Sequence, residues 1–309
     1  MVAMTKKINF TVKKKERVDK LIAEYMPALS RSQAKKLIDN GHVIIEGKKV
    51  KASDMPSIDS LIEVEIPLLE DFDKLAHDFV LNTIYEDENM IAINKPAGLL
   101  VHPSEHNLIE MTLLNIMRAK YPSVLKIGNT NHAGVVHRLD RDTSGVMVYA
   151  KNEVAKVTLK EQWKNRETLK IYLAVVRGCP DPTAGIIDAP IGKDPSNNGR
   201  QAVIEDGLSA ESKYRTLKKF NNKFSLLEVK IKTGRTHQIR VHLSAIGHPI
   251  LGDKLYGLPI DQINRQALHS KTLGLKIPTT GEWKEFNADV PKDIIELIDY
   301  LELNYPVNE

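Results

Sequence analysis

Five ionisable side chains lie within six consecutive positions in the middle of the chain: His137, Arg138, Asp140, Arg141 and Asp142. A loop-like run precedes them, and the apolar, strand-like run 146–150 follows. Ionisable groups packed this closely shift one another's pKa values, as they do at many active sites. The same residues are typical of a solvated turn between two strands, so the rest of the chain has to decide between the two interpretations.

A tyrosine in the segment 169–178 is the second candidate. The segment alternates as a β-strand does, with Lys170, Tyr172 and Ala174 on one face and Ile171 and Leu173 on the other. The phenol of Tyr172 therefore points to one defined side of a sheet. Taken alone, the residue is more typical of an aromatic side chain packed on a strand than of a catalytic residue.

The segment 232–242 carries the third candidate. A strand ends there, Thr233 and Gly234 form a turn, and a helix is expected to begin near Thr236. Backbone N–H groups at the start of a helix, with Arg235 beside them, favour a bound anion. A capped helix with surface charges would have the same sequence.

Composition and length exclude several classes of protein. The chain has 309 residues, of which 42% are hydrophobic and 27% charged, as in ordinary globular proteins. Its one cysteine, Cys179, excludes a disulfide framework and a cysteine-based zinc site. No apolar run approaches the ~20 residues of a membrane span, and the N-terminus lacks the apolar core of a secretory signal. Since the histidines also show no firm metal-ligand spacing, we expect a cytoplasmic protein with no membrane partner and no metal.

Positive charge is concentrated at the N-terminal end. Residues 1–67 hold 13 Lys/Arg and 9 Asp/Glu, whereas residues 68–309 hold 31 of each. The whole net charge of +4 therefore lies in the first fifth of the chain. This asymmetry indicates a basic module that meets a polyanion, although a mildly basic surface without a partner would have the same composition.

The pattern of residues 17–67 predicts a compact ααβ module. A first helix over 17–25 is followed by a second that begins with a Ser30/Gln33 capping box and ends at Gly41. A hairpin near Gly47 and an alternating strand through 62–66 complete it. Its cations are expected to share one side and to contact phosphates. They are Arg17, Arg31, Lys35, Lys36, Lys48 and Lys49.

The rest of the chain predicts mixed α and β structure. Residues 68–88, with seven carboxylates and one lysine, are an acidic linker and lead-in strand. Residues 89–303 form the larger domain, with short strands and helices expected at 153–167, from Thr236, and at 291–303. Asn152 is the expected N-cap of the first of these helices.

Three other functions fit parts of this pattern. The order His137, Arg138, Leu139, Asp140 is close to a kinase catalytic loop, but the chain lacks the Gly-rich loop and the D-F-G that a kinase needs. Asp140 and Asp142 could form the carboxylate pair of an aspartyl-phosphate phosphotransferase, although charged residues interrupt the strand that normally precedes such a pair. A non-catalytic RNA-binding protein that uses only the basic module stays open.

Taken together, the segments resemble the RluA/RluD-type pseudouridine synthases. The matching segments occur in the order of that family over about residues 84–290. They are 93–98 with 101–103, 137–145, 170–172, 233–242, 247–253 and 265–269. Residues 17–67 resemble the RNA-binding module named after ribosomal protein S-four. The resemblance implies an α+β fold, in which a mixed, mostly antiparallel catalytic sheet with flanking helices follows the small N-terminal module.

The resemblance also implies a chemistry and a role for each candidate. Uridine becomes pseudouridine when the bond from sugar to base nitrogen breaks, the base turns, and a carbon of the base rejoins the sugar, with no cofactor. Asp140 is expected to face the anomeric carbon, as a nucleophile or in support of an oxocarbenium-like state or an elimination. Tyr172 would remove the ring proton, and Arg235 would hold Asp140 ionised and aimed. Arg138 would fill the gap that the flipped uridine leaves, and Asp142 would be structural.

The expected partner is RNA. Large-subunit ribosomal RNA, on a ribosome assembly intermediate, is favoured over transfer RNA by the N-terminal module and by the branch of the family. The chain is expected to act as a monomer. The alternatives are the same chemistry on transfer RNA and a non-catalytic RNA- or ribosome-binding protein.

Overall fold

The computed structural model describes residues 5–27, 29–67, 73–102, 110–128, 132–197, 199–257 and 259–307. Residues 68–72 of the acidic linker and Pro103 of the matching segments lie outside the described residues. The chain forms two compact units. One comprises the described parts of residues 1–80, 100–125 and 129–132, and the other comprises those of residues 81–99, 126–128 and 133–309.

The N-terminal unit contains the predicted helices and strands of the basic module. Its elements are β1 Thr5–Thr11, α1 Val18–Tyr25, α2 Arg31–Asp39, β2 Val43–Ile45, β3 Lys48–Lys49 and β4 Leu61–Pro67. The strands form one antiparallel sheet in the order β1-β4-β2-β3. The capping box of α2 is confirmed, since Ser30 Oγ accepts from Gln33 N and Gln33 Oε1 accepts from Ser30 N. Strand β1 was not predicted, and it pairs with β4 along its whole length.

Two further helices complete the N-terminal unit. Helix α3 spans Asp73–Asp78, inside the stretch that the sequence predicted to be a linker, and α4 spans Leu113–Lys120. Thr112 caps α4 through a second capping box, with Asn115 as its partner. Residues 113, 114, 116 and 117 of α4 are fully buried, so the helix is held by packing as well as by its cap.

A nine-stranded sheet forms the second unit. Its strands run in the order β5-β6-β7-β14-β8-β13-β12-β9, and β15 pairs with β14. Every pairing is antiparallel except β14 with β7, which confirms the mixed, mostly antiparallel sheet expected from the sequence. The strands, with a separate β10–β11 pair, are β5 Thr83–Glu86, β6 Met90–Lys95, β7 Ser144–Ala150, β8 Leu169–Arg177, β9 Ala184–Asp188, β10 Ile191–Lys193, β11 Gln201–Val203, β12 Glu211–Phe220, β13 Phe224–Ile231, β14 Leu268–Lys276 and β15 Trp283–Asn287.

Three helices flank this sheet: α5 Glu153–Lys164, α6 Gln238–Ala245 and α7 Lys292–Asn304. Asn152 caps α5 as predicted, because its Oδ1 accepts from Ala155 N at 2.9 Å. The helix ends three residues earlier than the expected 167, since Arg166 adopts a left-handed backbone conformation with φ +61°. None of the described helices is long and apolar enough to cross a membrane.

The fold brings the three candidate segments together at one region of the second unit. The segment 137–143 leads into β7, Tyr172 lies on β8 opposite Ser270 of β14, and the segment 233–237 leads into α6. Because β7 and β8 both pair with β14, residues far apart in sequence become neighbours across that strand.

Candidate active site

Asp140 is the first residue of a tight turn that the protein holds from outside. Within the turn, the N–H of Thr143 donates to the carbonyl of Asp140 at 3.2 Å. The carbonyl of Arg141 accepts from the N–H of Gly98 at 3.0 Å and from Lys95 Nζ at 2.9 Å. The backbone that carries Asp140 is therefore tied to the turn that follows β6.

Lys95 is a fully buried lysine whose ammonium serves three backbone carbonyls. Its Nζ donates to Pro96 O at 2.8 Å, to Leu99 O at 2.9 Å and to Arg141 O at 2.9 Å. Burial lowers the pKa of Lys95 to about 7, against the opposing charges of Asp142 and Asp140. This lysine therefore joins the turn at 96–99 to the turn that carries Asp140.

A single arginine lies between Asp140 and a second carboxylate. Arg240 Nη1 donates to Asp140 Oδ2 at 3.0 Å, and Arg240 Nε and Nη2 donate to the two oxygens of Asp253 at 2.7 and 2.8 Å. The exposed fractions of the three side chains are 25% for Asp140, 8% for Arg240 and 0% for Asp253. We call these three residues the Asp140 triad. Burial acts to lower the pKa of Arg240, but the hydrogen bonds and charge of Asp253, with those of Asp140, raise it, so the guanidinium stays charged.

Arg235, to which the sequence analysis assigned the contact with Asp140, lies on the wall of the pocket instead. Its Nε donates to Ser209 O at 2.9 Å, and the arginine that bonds Asp140 is Arg240. The reason is the start of α6 at Gln238, which leaves Arg235 on the preceding turn and puts Arg240 in a buried stretch of the helix. No local sequence signal distinguished Arg240 from Arg235, because the burial of Arg240 and its pairing with Asp253 arise only in the folded chain.

Tyr172 lines the same pocket as Asp140 and Arg240. The predicted alternation of its strand is confirmed, and the face with Lys170, Tyr172 and Ala174 is the more deeply buried one. Burial raises the pKa of Tyr172 to about 12, with a hydrogen bond to Ser270 acting against the rise and the charge of Asp140 adding to it. The neutral phenol is therefore the resident form at neutral pH.

Arg138 lies at the pocket wall and bonds to the opposite segment. Its Nη2 donates to Thr236 Oγ1 at 2.6 Å, and both residues line the pocket. The cavity volume is about 70 Å³, which is room for a few water molecules rather than for a nucleoside. The pocket as it stands is too small to enclose a nucleoside, and Arg138 is the most exposed of the charged residues in its wall.

Two of the five clustered ionisable residues point to structural roles. His137 Nε2 accepts from the N–H of Val148 at 3.0 Å, and its ring stacks on Trp163 with centroids 4.6 Å apart. Burial lowers the pKa of His137 to about 3, so the imidazole is neutral at neutral pH. The main-chain carbonyl of Asp142 accepts from Arg265 Nη1 at 3.0 Å, which fixes the end of the turn.

His237 and Gln238 order the start of α6, and the sequence analysis assigned neither of them a role. His237 has φ +57°, and its Nδ1 shares a 2.9 Å hydrogen bond with the hydroxyl of Tyr256. Gln238 Oε1 accepts from Thr233 Oγ1 at 2.8 Å and from the N–H of Arg235 at 3.0 Å. The loop that leads into α6 is therefore held by side-chain hydrogen bonds.

In the described parts of the chain no group of three or more His, Cys, Asp or Glu residues is arranged to hold a metal ion.

The predicted RNA-contacting residues of the N-terminal unit are exposed except Arg17, which is half-buried, and three of them are in ion pairs. Arg17 and Arg31 both donate to the buried carboxylate of Asp19, each at 3.0 Å, and Lys36 bonds to Glu110. Burial acts to raise the pKa of Asp19, but the hydrogen bonds from the two arginines outweigh it and lower the pKa. The other predicted residues, all exposed, are Lys35, Lys48 and Lys49.

Comparison with known proteins shows the family to which the chain belongs. A family model described as RNA pseudouridylate synthase matches residues 89–245, and an S4 domain model matches residues 16–60. The chain belongs to the RNA pseudouridylate synthase family. Members of this family are isomerases that act on RNA, so the resemblance to the RluA/RluD-type synthases and the expected enzyme class are confirmed.

Relatives of this pseudouridylate synthase cover nearly its whole length. An uncharacterized RNA pseudouridine synthase of Chloroflexus aurantiacus is 44% identical over 281 residues, which are 90% of this chain and 88% of the relative. The ribosomal large subunit pseudouridine synthase D of Xanthomonas campestris is 38% identical over 299 residues, 92% of this chain and 88% of the relative. Among solved structures, human RNA pseudouridylate synthase domain containing 4 matches with a TM-score of 0.60 and 26% identity, covering 76% of this chain and 98% of that one.

Proposed function

We propose that this synthase isomerises uridines of large-subunit ribosomal RNA to pseudouridine, with Asp140 as its catalytic carboxylate. The observation that carries the proposal is the Asp140 triad, since a charged arginine holds Asp140 beside Tyr172 in one pocket. A carboxylate that acts at the anomeric carbon has to be held in position, and the hydrogen bond from Arg240 does this. Arg240 takes Oδ2, so Oδ1 is the oxygen proposed to approach the sugar.

Each pocket residue has a step in the proposed reaction. Asp140 acts at the anomeric carbon as the bond to the base nitrogen breaks, as a nucleophile, in support of an oxocarbenium-like state, or through elimination. Tyr172 takes the proton from the ring carbon after that carbon has joined the sugar. Its raised pKa makes the phenolate a strong base that is sparsely populated at neutral pH. Arg235, on the pocket wall, is proposed to contact an RNA phosphate rather than Asp140.

Arg138 is proposed to couple entry of the nucleotide to the RNA stack. The small cavity and the Arg138–Thr236 hydrogen bond support this role, because breaking the bond widens the pocket and frees the guanidinium. The freed side chain can then occupy the position that the flipped uridine has left. Asp142 is proposed to be structural, in keeping with the Arg265 contact to its carbonyl.

The N-terminal unit is proposed to supply affinity for the RNA. We infer that residues 17–67 are the RNA-binding module, that 68–88 link it to the rest, and that 89–303 are the catalytic domain. The cations of the module (Arg17, Arg31, Lys35, Lys36, Lys48 and Lys49) would contact phosphates and so position the RNA without choosing the uridine. The ribosomal choice rests on the relatives named ribosomal large subunit pseudouridine synthase D, which are 34–38% identical. A monomer acting on an assembling subunit in the cytoplasm is part of the same proposal.

Chemical mapping of pseudouridine tests this proposal. The purified chain is incubated with unmodified large-subunit ribosomal RNA and, separately, with unmodified transfer RNA. The proposal expects new pseudouridines at defined positions of the ribosomal RNA. Pseudouridine formed on transfer RNA alone would make transfer RNA the substrate in place of ribosomal RNA. Pseudouridine on neither RNA would favour the non-catalytic RNA-binding alternative.

A further inference from the structure

An open groove of about 480 Å³ adjoins the pocket on the second unit, which contains Asp140 and Tyr172 and which we call the catalytic unit. Four exposed cations line it: Arg166, Lys213, Lys230 and Lys232. The exposed ring of Trp283 lies on the same wall, and Ile231 lines both the groove and the pocket that holds Asp140. The groove therefore lies next to the pocket, and it combines positive charge with an aromatic surface.

The charge of this groove suits a polyanion. Two carboxylates, Glu167 and Glu211, lie among its four cations. Glu211 pairs with Lys232 at 3.2 Å and with Lys213 at 3.9 Å, so both ammonium groups lie beside one carboxylate of the groove. An excess of cations in a concave surface attracts phosphates and raises their local concentration.

Arg166 occupies a backbone position that favours glycine. It lies just beyond α5 with φ +61°, and its N–H donates to Trp163 O while the N–H of Glu167 donates to Gln162 O at 2.9 Å. These bonds form a Schellman motif, whose left-handed residue is usually glycine because a Cβ is strained there. An arginine kept in a strained position points to a use for its side chain.

Trp283 is supported from one side and exposed on the other. It lies on β15 with 44% of its surface exposed, and its ring rests above Gly274 of β14. A Cβ built on Gly274 would lie 2.6 Å from Trp283 Cζ2, so the glycine leaves the space that the ring fills. Trp283 Nε1 donates to Glu285 Oε1 at 3.2 Å, which orients the indole. Exposed, rigidly held aromatic rings are the surfaces on which single-stranded bases stack.

We propose that this groove binds the single-stranded RNA next to the target uridine, with phosphates on its cations and one base stacked on Trp283. The inference rests on the proposed function for the identity of the RNA. The RNA strand that leaves the pocket passes Ile231 and enters the groove. Binding in the groove therefore selects RNA whose target uridine lies in an unpaired segment. It adds a second RNA-binding surface to that of the N-terminal unit.

Equilibrium binding of an oligouridylate of about 15 nucleotides over a series of salt concentrations tests the groove. Trp283→Ala is expected to bind about tenfold more weakly, as loss of one stacked base predicts. Lys213→Ala should reduce the slope of log affinity against log salt by about 0.7, the value for one phosphate contact on a single strand. Lys218→Ala is the matched control, since Lys218 lies on the same strand outside the groove with a similarly exposed side chain (48% against 54%).

A third groove variant, Arg166→Gly, separates RNA binding from folding. Arg166→Gly relieves the left-handed strain, so its melting temperature should equal or exceed that of the wild type while its RNA affinity falls several-fold. RNA affinity within twofold of the wild type in all three groove variants would overturn the proposal that the groove binds RNA. If the wild type forms no pseudouridine but these variants still bind RNA more weakly, the proposed function is wrong and the proposal that the groove binds RNA is retained. If pseudouridine forms and their binding is unchanged, only the groove fails.

Discussion

The two units each contain three charged residues joined by hydrogen bonds, in opposite proportions. In the catalytic unit one arginine, Arg240, bonds two carboxylates, Asp140 and Asp253. In the N-terminal unit one carboxylate, Asp19, bonds two arginines, Arg17 and Arg31. The first set carries a net negative charge and the second a net positive charge, although both are built from the same ion pairs.

The difference in burial explains what each set can do. The side chain of Arg240 is 8% exposed, and its charged guanidinium holds two aspartates in fixed positions. The side chains of Arg17 and Arg31 are 39% and 55% exposed, and each can turn a free N–H toward a phosphate. A central buried arginine yields an anchored carboxylate, which suits the chemistry proposed for Asp140, whereas a central buried aspartate yields anchored cations, which suit the proposed binding of RNA.

The largest expected effect comes from a substitution that breaks the Asp140 triad. Arg240→Gln leaves Asp253 without a counter-ion in the interior, and losing one partner of a buried pair costs about 3–5 kcal/mol. Urea unfolding of the full chain should show that loss of stability, together with loss of pseudouridine formation.

Two matched arginine variants sharpen this result. Arg31→Gln should cost less than about 1 kcal/mol, because Arg17 still bonds Asp19 and the side chain of Arg31 is itself about half exposed. Arg235→Gln should change the stability by no more than about 0.5 kcal/mol, as for an ordinary surface position. Equal losses at positions 31, 235 and 240 would contradict the contrast between the two sets.

Tyr172→Phe tests whether the catalytic unit uses more than its carboxylates. The rate of pseudouridine formation in a single turnover should fall about 100-fold, as for loss of a general base, while RNA affinity stays unchanged. Because burial raises the pKa of Tyr172 to about 12, the phenolate fraction grows as the pH rises. The wild-type rate should therefore rise between about pH 7 and about pH 9, and a flat wild-type profile with an active Phe variant would remove Tyr172 from the reaction.

Acid should destabilise the catalytic unit through a buried histidine. His269 is fully buried, its Nδ1 shares a 2.9 Å hydrogen bond with Ser144 Oγ, and burial lowers its pKa to about 4. The unfolded chain takes up a proton near pH 6.5 while the folded chain does not, so stability is lost as the pH falls from about 6.5 to about 4. The share of His269 in this loss is about 2 kcal/mol between pH 7.5 and pH 5.

Urea unfolding at several pH values measures this share. His269→Asn should show a shallower loss of stability on acidification than the wild type. Identical pH dependence in the two proteins would show that His269 does not titrate differently in the folded and unfolded states.

The smallest expected effect concerns the exposed cations of β3. Replacing both Lys48 and Lys49 by alanine should weaken binding to ribosomal RNA by about 1 kcal/mol and reduce its salt slope by about 1 to 2, because the contacts are electrostatic. Pseudouridine formation at saturating RNA should be unchanged. Lys13→Ala, at a lysine with 77% of its side chain exposed and outside the predicted contact face, is the control. A fall in the saturated rate would place these lysines in the chemistry instead.

Local signals predicted those elements that local interactions define. The capping residues Ser30 and Asn152 marked the starts of α2 and α5, and the alternation around Tyr172 marked β8. Strand β1 was missed because its apolar pattern is short and its stability comes from pairing with β4, whose residues lie at least 50 positions further along the chain. The end of α5 was missed because Arg166 stands where glycine is the usual signal.

The candidate site was predictable in its segments but not in its pairings. The sequence pointed to Asp140, Tyr172 and the segment 233–242, which the fold brings to one pocket. It could not select Arg240 over Arg235, because that choice depends on where α6 begins and on Asp253 arriving from another loop. Nor could it show that His137 is neutral, since stacking on Trp163 and burial are tertiary contacts.

The most direct test of the central claim is the single-turnover rate of Asp140→Asn beside that of Asp142→Asn on the same ribosomal RNA. The first substitution removes the charge that Arg240 holds and keeps the shape of the side chain, whereas the second leaves the triad intact. We predict a fall of at least about 10³-fold for Asp140→Asn, with RNA binding retained, and a rate within about tenfold of wild type for Asp142→Asn. A rate for Asp140→Asn close to that of the wild type would contradict the assignment of Asp140 as the catalytic carboxylate.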